Sequence, residues 1–377
     1  MRKLLPTLLI LAMLLLALLV VVRIRYGGGT VAEHIPTTEP LFPETALENV
    51  ADLPLPPGNI AVSPEGRIFF TFHPEGKPEV NVAELVAGEA VPYPASAEER
   101  SRVKTVLGLR LDLQGRLWLL DYANHGFGTP RLVAYQTKEN RLVEEFDFPS
   151  SIAPPGSMLN DFQVSPDGKW IYIADASIFG LEPALVIYNT EKRSARRLLE
   201  KHPSMLADSR HVPRVRGRDL LILGVFAVRP GVDSIALDRN GRYLNFGSVN
   251  GEYLYRIDTK FLRDEGYSSE ELARAIETVG RKTDSDGITT DERGNVYITD
   301  ASADSIHRMS PDGKIQTLIK SAQLRWPDGL SFGPDGYLYV TCSSLQEVIF
   351  RSASHVKAHA PYQIFRFRPG ISAPAGH

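Results

Sequence analysis

Six residues stand eight positions ahead of six regularly recurring turn glycines, and four of the six carry a side-chain oxygen. The glycines are Gly66, Gly115, Gly168, Gly241, Gly294 and Gly336; the residues are Gly58, Leu107, Asn160, Asp233, Asp286 and Asp328. A second acidic set, Asp121, Asp175 and Asp300, follows three of the same glycines by six or seven residues. Ionised carboxylates gathered at one place repel each other, and a hard cation relieves that repulsion. Calcium suits such a site, accepting about six to eight oxygens from Asp, Asn, carbonyls and water. Asn160, Asp233, Asp286 and Asp328 are therefore the candidate metal ligands, with Asp286 and Asp328 sharing an Asp-Gly context. Asp121, Asp175 and Asp300 are the candidate further lining of a small-molecule pocket. The competing reading is that these Asp-Gly and Asn-Asp pairs are turns whose side chains cap backbone amides. Asp328, or His125 in the segment Tyr122-Ala-Asn-His-Gly-Phe-Gly128, is the candidate base for activating water, and His73 occupies the comparable place one repeat earlier. No His or Cys cluster is read at the spacing of a zinc site, and no nucleophile elbow, phosphate loop or dinucleotide fingerprint occurs.

The elements that must position these residues repeat. Each copy, such as Asn160–Ser177 (NDFQVSPDGKWIYIADAS) or Asp328–Ser344 (DGLSFGPDGYLYVTCSS), alternates apolar and polar residues, turns at a glycine, and returns through Tyr, Ile, Val and Leu. Alternation with period two reads as a half-buried strand, and glycine supplies the positive φ of the turn. Further β-like runs lie between copies, at Ala184–Tyr188, Tyr253–Ile257 and Ile315–Ile319. Two hairpins per repeat make a four-stranded blade, so the chain is predicted to be an all-β, six-bladed β-propeller. The first strand of each blade then lines the central channel and brings the strand-start residues to one mouth; Gly58 and Leu107 break that ring. The 73-residue interval before Gly241 contains Leu198–Arg229, predicted to add a hairpin or long loop. Ser268–Val279 is predicted to be a short helix capped by a serine, and Tyr362–Phe367 a strand that closes the ring.

A near-continuous apolar run, Leu4–Val22, follows Arg2 and Lys3. As a helix it spans roughly 28 Å, the thickness of a bilayer core. It exceeds an ordinary secretory h-region, and arginines rather than small residues follow it, so an uncleaved signal anchor is favoured over a cleaved signal peptide. The expected organisation is an anchor or signal over residues 1–26, a linker over 27–43, the propeller over 44–370 and a tail over 371–377. Export to the periplasm or the cell exterior follows from either reading of the anchor. The net charge of −3 excludes a chain-wide basic field for nucleic acid. The expected partners are a small-molecule ligand and, through the N-terminal segment, a membrane. The single cysteine, Cys342, reads as a buried small hydrophobe, and no internal disulfide is possible.

The chain resembles the Yellow/major royal jelly protein family, also described as related to L-dopachrome tautomerase. The resemblance is carried by Leu159-Asn-Asp-Phe162, Tyr172-Ile-Ala-Asp175, Leu254-Tyr-Arg-Ile257, Val279-Gly-Arg-Lys282, Leu324-Arg-Trp-Pro-Asp-Gly-Leu330 and Ser343-Ser-Leu-Gln346. It implies a secreted six-bladed propeller with an axial pocket; some members are credited with dopachrome conversion and others are non-catalytic. A wider resemblance, to gluconolactonase and senescence-marker propellers, implies metal-dependent lactone hydrolysis. Asn160, Asp286 and Asp328 match that family's ligand contexts and Asp233 is a fourth. The first blade departs from the pattern, having no glutamate near Gly58, where Asn59 is the nearest polar residue.

Overall fold

The computed structural model describes residues 4–27, 29, 37–222 and 226–376. Six four-stranded antiparallel sheets make up the ring, each ordered from an inner strand outward. The inner strands are Pro57–Val62, Val106–Leu111, Leu159–Val164, Val232–Leu237, Ile288–Thr290 and Pro327–Phe332, which number blades 1 to 6. Blade 6 is completed by the N-terminal strand Glu48–Leu53, which pairs antiparallel with Tyr362–Phe367. Ring closure is thus by hydrogen bonds between the two ends of the domain. The core lies between neighbouring blades. Trp118, Phe162, Ile173 and Tyr188 fill the space between blades 2 and 3, and Phe70, Tyr339, Tyr362 and Ile364 that between blades 1 and 6. Each such side chain contributes about 1.5–3 kcal/mol on burial.

The six turn glycines all take positive φ, between 69° and 85°, as the repeat requires. A second glycine role was not foreseen. A Cβ on Gly287 would sit 2.0 Å from the carbonyl oxygen of Asp328 in the next blade, and one on Gly108 would sit 2.3 Å from that of Asn160. Inner strands converge on the axis here, and the Asp-Gly pairs place a carboxylate beside the one residue that permits the approach.

The long insertion before blade 4 folds as a 3-10 turn (Pro203–Met205) and two short hairpins, Arg214–Val215 with Arg218–Asp219 and Leu221–Ile222 with Phe226–Ala227. The predicted helix is shorter than expected. It runs Ser269–Arg274 behind a capping box on Ser268, and Glu277–Arg281, with Val279, is the outer strand of blade 4. Sheet pairing with Tyr253–Asp258 there overrides the helical spacing. Much of the 27–43 linker lies outside the described residues, but its end is held: Leu41 and Phe42 donate backbone N–H groups to Thr317 and Leu318 of blade 5. The tail is also held. Gly376 donates to the Phe332 carbonyl at 3.0 Å and lies against Val62 and Leu111, so it tucks under the far end of the channel. Cys342 is fully buried and free. The N-terminal helix runs Leu4–Tyr26, and its stretch Leu8–Tyr26 is unburied.

Gly287→Ala is expected to lower stability by at least about 2 kcal/mol, since backbone on both sides must move. Gly88→Ala, at a turn with φ 86° and open space around it, should cost only about 1–2 kcal/mol. Denaturant unfolding of the two variants measures the difference; equal losses would refute the crowding argument.

Candidate functional site

The inner-strand starts open into a cavity of about 480 Å3 on the axis. Asn160, Asp233, Asp286 and Asp328 all line it, so the four residues proposed as ligands are brought together. The gap expected at blades 1 and 2 is filled by residues that the repeat register passed over. Asn59 and Asp161 also line the cavity, and Arg110 lies beneath them. Arg110 donates to the Asn59 side-chain oxygen at 2.5 Å and to Asp161 Oδ2 at 2.9 Å, while Asn59 Nδ2 donates to Asp161 Oδ1 at 2.8 Å. The cause is a register shift in the inner strands, between Pro57 and Ile60 in blade 1 and between Leu159 and Phe162 in blade 3. Such a bulge suspends the alternation of faces, so Asn160 and Asp161 both reach the cavity.

The three unmatched carboxylates carry the electrostatics. Burial, and then the charge of Asp286, hold both Asp233 and Asp328 well above the usual carboxylate range. Asp286 is pushed up to about 6 by burial, against a hydrogen bond of 2.6 Å from Trp326 Nε1. Asn160 donates its amide to Asp233, which leaves Asn160 Oδ1 buried with no donor. The cation that acts on Asp233 and Asp286 is Lys282. It is fully buried, pushed down to about 8 by that burial, and spends its hydrogen bonds on the Val249 and Thr283 carbonyls. An excess of buried negative charge with an unused amide oxygen is a donor set suited to a hard cation. The set is loose, because Asp233, Asp286 and Asp328 do not bring three ligand oxygens within 4.8 Å of one another. Among the described residues that spacing is met by Glu347, His355 and His359, on the segment roofing the cavity. This corrects the sequence analysis, which saw no such cluster: His355 and His359 come together across one helical turn, and Glu347 arrives from the preceding 3-10 turn.

Asp121, Asp175 and Asp300 do not line the cavity. Each accepts the backbone N–H two residues on, from Ala123, Ser177 and Ser302, at 2.8–3.0 Å. Asp121 also accepts from Lys104 and Thr105, and Asp175 from Met158 and from Arg197 at 2.5 Å. They brace the loops at the mouth, a capping role that the sequence analysis had weighed only for the strand starts. His125 and His73 do face the cavity. Burial, then the nearby His125, pushes His73 down to about 3, and burial also lowers His125. His73 Nδ1 accepts the Glu75 N–H, which leaves its proton on Nε2, whereas His125 Nδ1 is buried without a partner.

Fold and site together define a six-bladed propeller with an acidic axial chamber. The chain belongs to the major royal jelly protein family, whose profile matches residues 104–364. Solved structures with the same fold include a calcium-binding protein, regucalcin, from Agrobacterium tumefaciens (TM-score 0.57, 15% identity, covering 91% of this chain and all of that one). A gluconolactonase from Xanthomonas campestris is similar at TM-score 0.55 and 12% identity, covering 90% and 98%. A luciferin-regenerating enzyme follows at 0.57 and 12%, covering 88% and 97%. At these identities the likeness is one of fold. No curated protein matches the chain in sequence.

Asp286 has a folded pKa of about 6 against 3.8 for the free group, so its charged form weakens the fold above pH 6 and the penalty fades as pH falls toward 4. The depressed pKa of His73 acts the other way in the same window, so the test is a comparison. Asp286→Asn should be more stable than the metal-free parent at pH 7.5, and its advantage should shrink by on the order of 1 kcal/mol at pH 5.5. Thermal melts at the two pH values check this; an advantage that grows on acidification would refute it.

Proposed function

We propose that this protein is an exported hydrolase of a small lactone or ester, acting with a divalent cation of the calcium type in the axial chamber. The observation that carries this reading is the trio Asp233, Asp286 and Asp328, buried together without a matching cation, beside the donorless Oδ1 of Asn160. Those four residues would hold the ion, and the tolerance of calcium for irregular geometry suits their loose arrangement. The fold shared with structures described as calcium-binding and as gluconolactonase is in keeping with it. A bound divalent cation supplies Lewis-acid polarisation of a carbonyl oxygen. The chain itself supplies the rest. Asp328, on the floor of the chamber and kept ionised by a bound cation, would take the proton from the attacking water. His125, neutral and with a free ring nitrogen, is the second base in reach of the chamber. His73 presents an N–H donor. The apolar upper wall, which includes Leu107, Met158 and Val249, excludes bulk water.

A second reading has its own observation. The Asn59–Arg110–Asp161 network occupies the first-blade quadrant where the lactonase resemblance calls for a glutamate, and Arg110 neutralises Asp161 there. A chamber so modified suits a non-catalytic binder of a small aromatic or amine ligand; a dopachrome-type isomerase would use the same histidines as acid and base. We also read the N-terminal helix as a retained membrane anchor, since Tyr26 and Arg25 at its end hydrogen bond to the propeller.

Calcium at millimolar concentration should raise the melting temperature, and Asp286→Asn with Asp328→Asn should abolish that rise while stabilising the metal-free protein. The parent should hydrolyse members of a lactone and ester panel and lose at least about 100-fold in rate without the cation. No thermal shift with calcium, magnesium, manganese or zinc would eliminate the metal reading. Ligand binding without turnover would establish the binder, and dopachrome turnover in chelator the isomerase.

A further inference from the structure

We propose that the cavity mouth is seated on the lipid bilayer and that the ligand is a membrane-dissolved amphiphile, taken in with its polar end toward the carboxylates. This rests on reading the N-terminal helix as a retained anchor, and deepens the proposed function by naming the substrate class.

Three independent features converge on one face. The first is where the anchor ends. Tyr26 Oη donates to the Phe179 carbonyl at 2.8 Å, Arg25 donates to the Gly180 carbonyl at 3.2 Å, and Gly27 forms a bridge with Phe226. Phe179 lines the cavity, so the apolar helix, with mean hydropathy 2.7 and no burial, leaves the propeller at the rim of the chamber. A bilayer that holds this helix must pass close to that rim. The second is the insertion before blade 4. Residues 220–228 are apolar in sequence apart from one glycine. Its described members Leu220, Leu221 and Val228 line the mouth of the cavity. The third is the distribution of exposed aromatics. Among the described residues the exposed phenylalanines are Phe127, Phe179 and Phe350, at 67%, 38% and 64%. All three stand on loops that follow the second strand of a blade, which returns to the mouth. Exposed aromatics beside a short apolar excursion, with arginines flanking both, form a surface that enters the interfacial zone of a membrane.

The chamber has matching polarity. Its floor is carboxylates and amides, Met158, Ile178 and Ile349 give the wall above an apolar strip, and Arg218, Asp219 and Arg351 stand among the lining of the upper part. A ligand with one polar, oxygen-bearing end and a hydrocarbon tail matches that floor and that apolar strip.

The test uses the full chain in nanodiscs of phosphatidylcholine and phosphatidylglycerol, with intact mass showing that the anchor is retained. Spin labels are placed singly at Phe350→Cys on the mouth and Leu113→Cys on the opposite face; Cys342 is buried and does not compete. Collision with oxygen should exceed collision with a water-soluble nickel chelate at position 350 by about threefold or more, and the order should reverse at 113. In the same discs a doxyl-labelled stearate methyl ester should quench Trp326, which lines the cavity, and Trp326→Phe should remove that part of the quenching. An intact anchor with position 350 open to nickel overturns the docking while leaving the anchor in place, and position 350 shielded from both probes overturns it in favour of a protein partner. Lipid exposure at 350 without quenching of Trp326 overturns the amphiphile. Loss of the helix from the mature protein overturns the anchor reading itself, and Phe127→Cys repeats the measurement should Phe350→Cys fail to fold.

Discussion

The tightest constraint in this molecule is the convergence of inner strands on the axis. Backbones of neighbouring blades meet so closely that Gly287 lies against the Asp328 carbonyl and Gly108 against that of Asn160. In blades 2, 5 and 6 the residue at the strand start is therefore followed by a glycine, Gly108, Gly287 or Gly329, where any side chain would meet the neighbouring backbone. The arrangement that allows close packing is the same one that crowds carboxylates at the mouth. Geometry and electrostatics are thus not separable here: a ring tight enough to close is a ring that concentrates negative charge. The protein meets that charge unevenly. On one side Arg110 spans Asn59 and Asp161 in a satisfied network; on the other, burial raises the proton affinity of Asp233, Asp286 and Asp328, and the charge of Asp286 adds to it at the other two.

Much of this was legible in the sequence, and the reason is periodicity. Six glycines at turns that need positive φ gave the blade count, and counting back from them found the four oxygen-bearing residues that do line the chamber. What escaped notice lies where periodicity fails. Asn59 and Asp161 face the cavity because a bulge interrupts the alternation of each strand; the same bulge recurs in the inner strands of blades 1, 2, 3, 4 and 6, and strict period-two counting does not show it. Lys282 and Trp326 come from loops outside the repeat. Asp121, Asp175 and Asp300 were misplaced for the opposite reason: they obey the repeat, but a short acidic side chain at a strand end finds nearby backbone N–H groups before it finds a cavity. The helix over 268–279 was legible in its cap and not in its end, because strand pairing decides where Glu277–Arg281 goes.

The roof of the chamber is the least regular part of the structure. It is built from the insertion before blade 4 and from the segment after the second strand of blade 6, tied together by the ion pair of Arg218 with Glu347 at 2.8 Å. Neither belongs to the repeat, so the floor is set by the fold and the roof by local sequence. The roof is therefore free to vary without disturbing the ring, as is general for loops carried on a rigid scaffold.

The closure of blade 6 has a temporal consequence. Glu48–Leu53 is among the first parts of the propeller to leave the ribosome and Tyr362–Phe367 among the last, and each is the other's hydrogen-bonding partner. Through the whole of synthesis the early strand has an unpaired edge and nothing to pair with. Blades 1 to 5 can each collapse as they emerge, since their strands are contiguous in the chain, but the circle is completed in a single late event. The rate of that event is governed by how nearly the five preceding blades already hold the two ends in register.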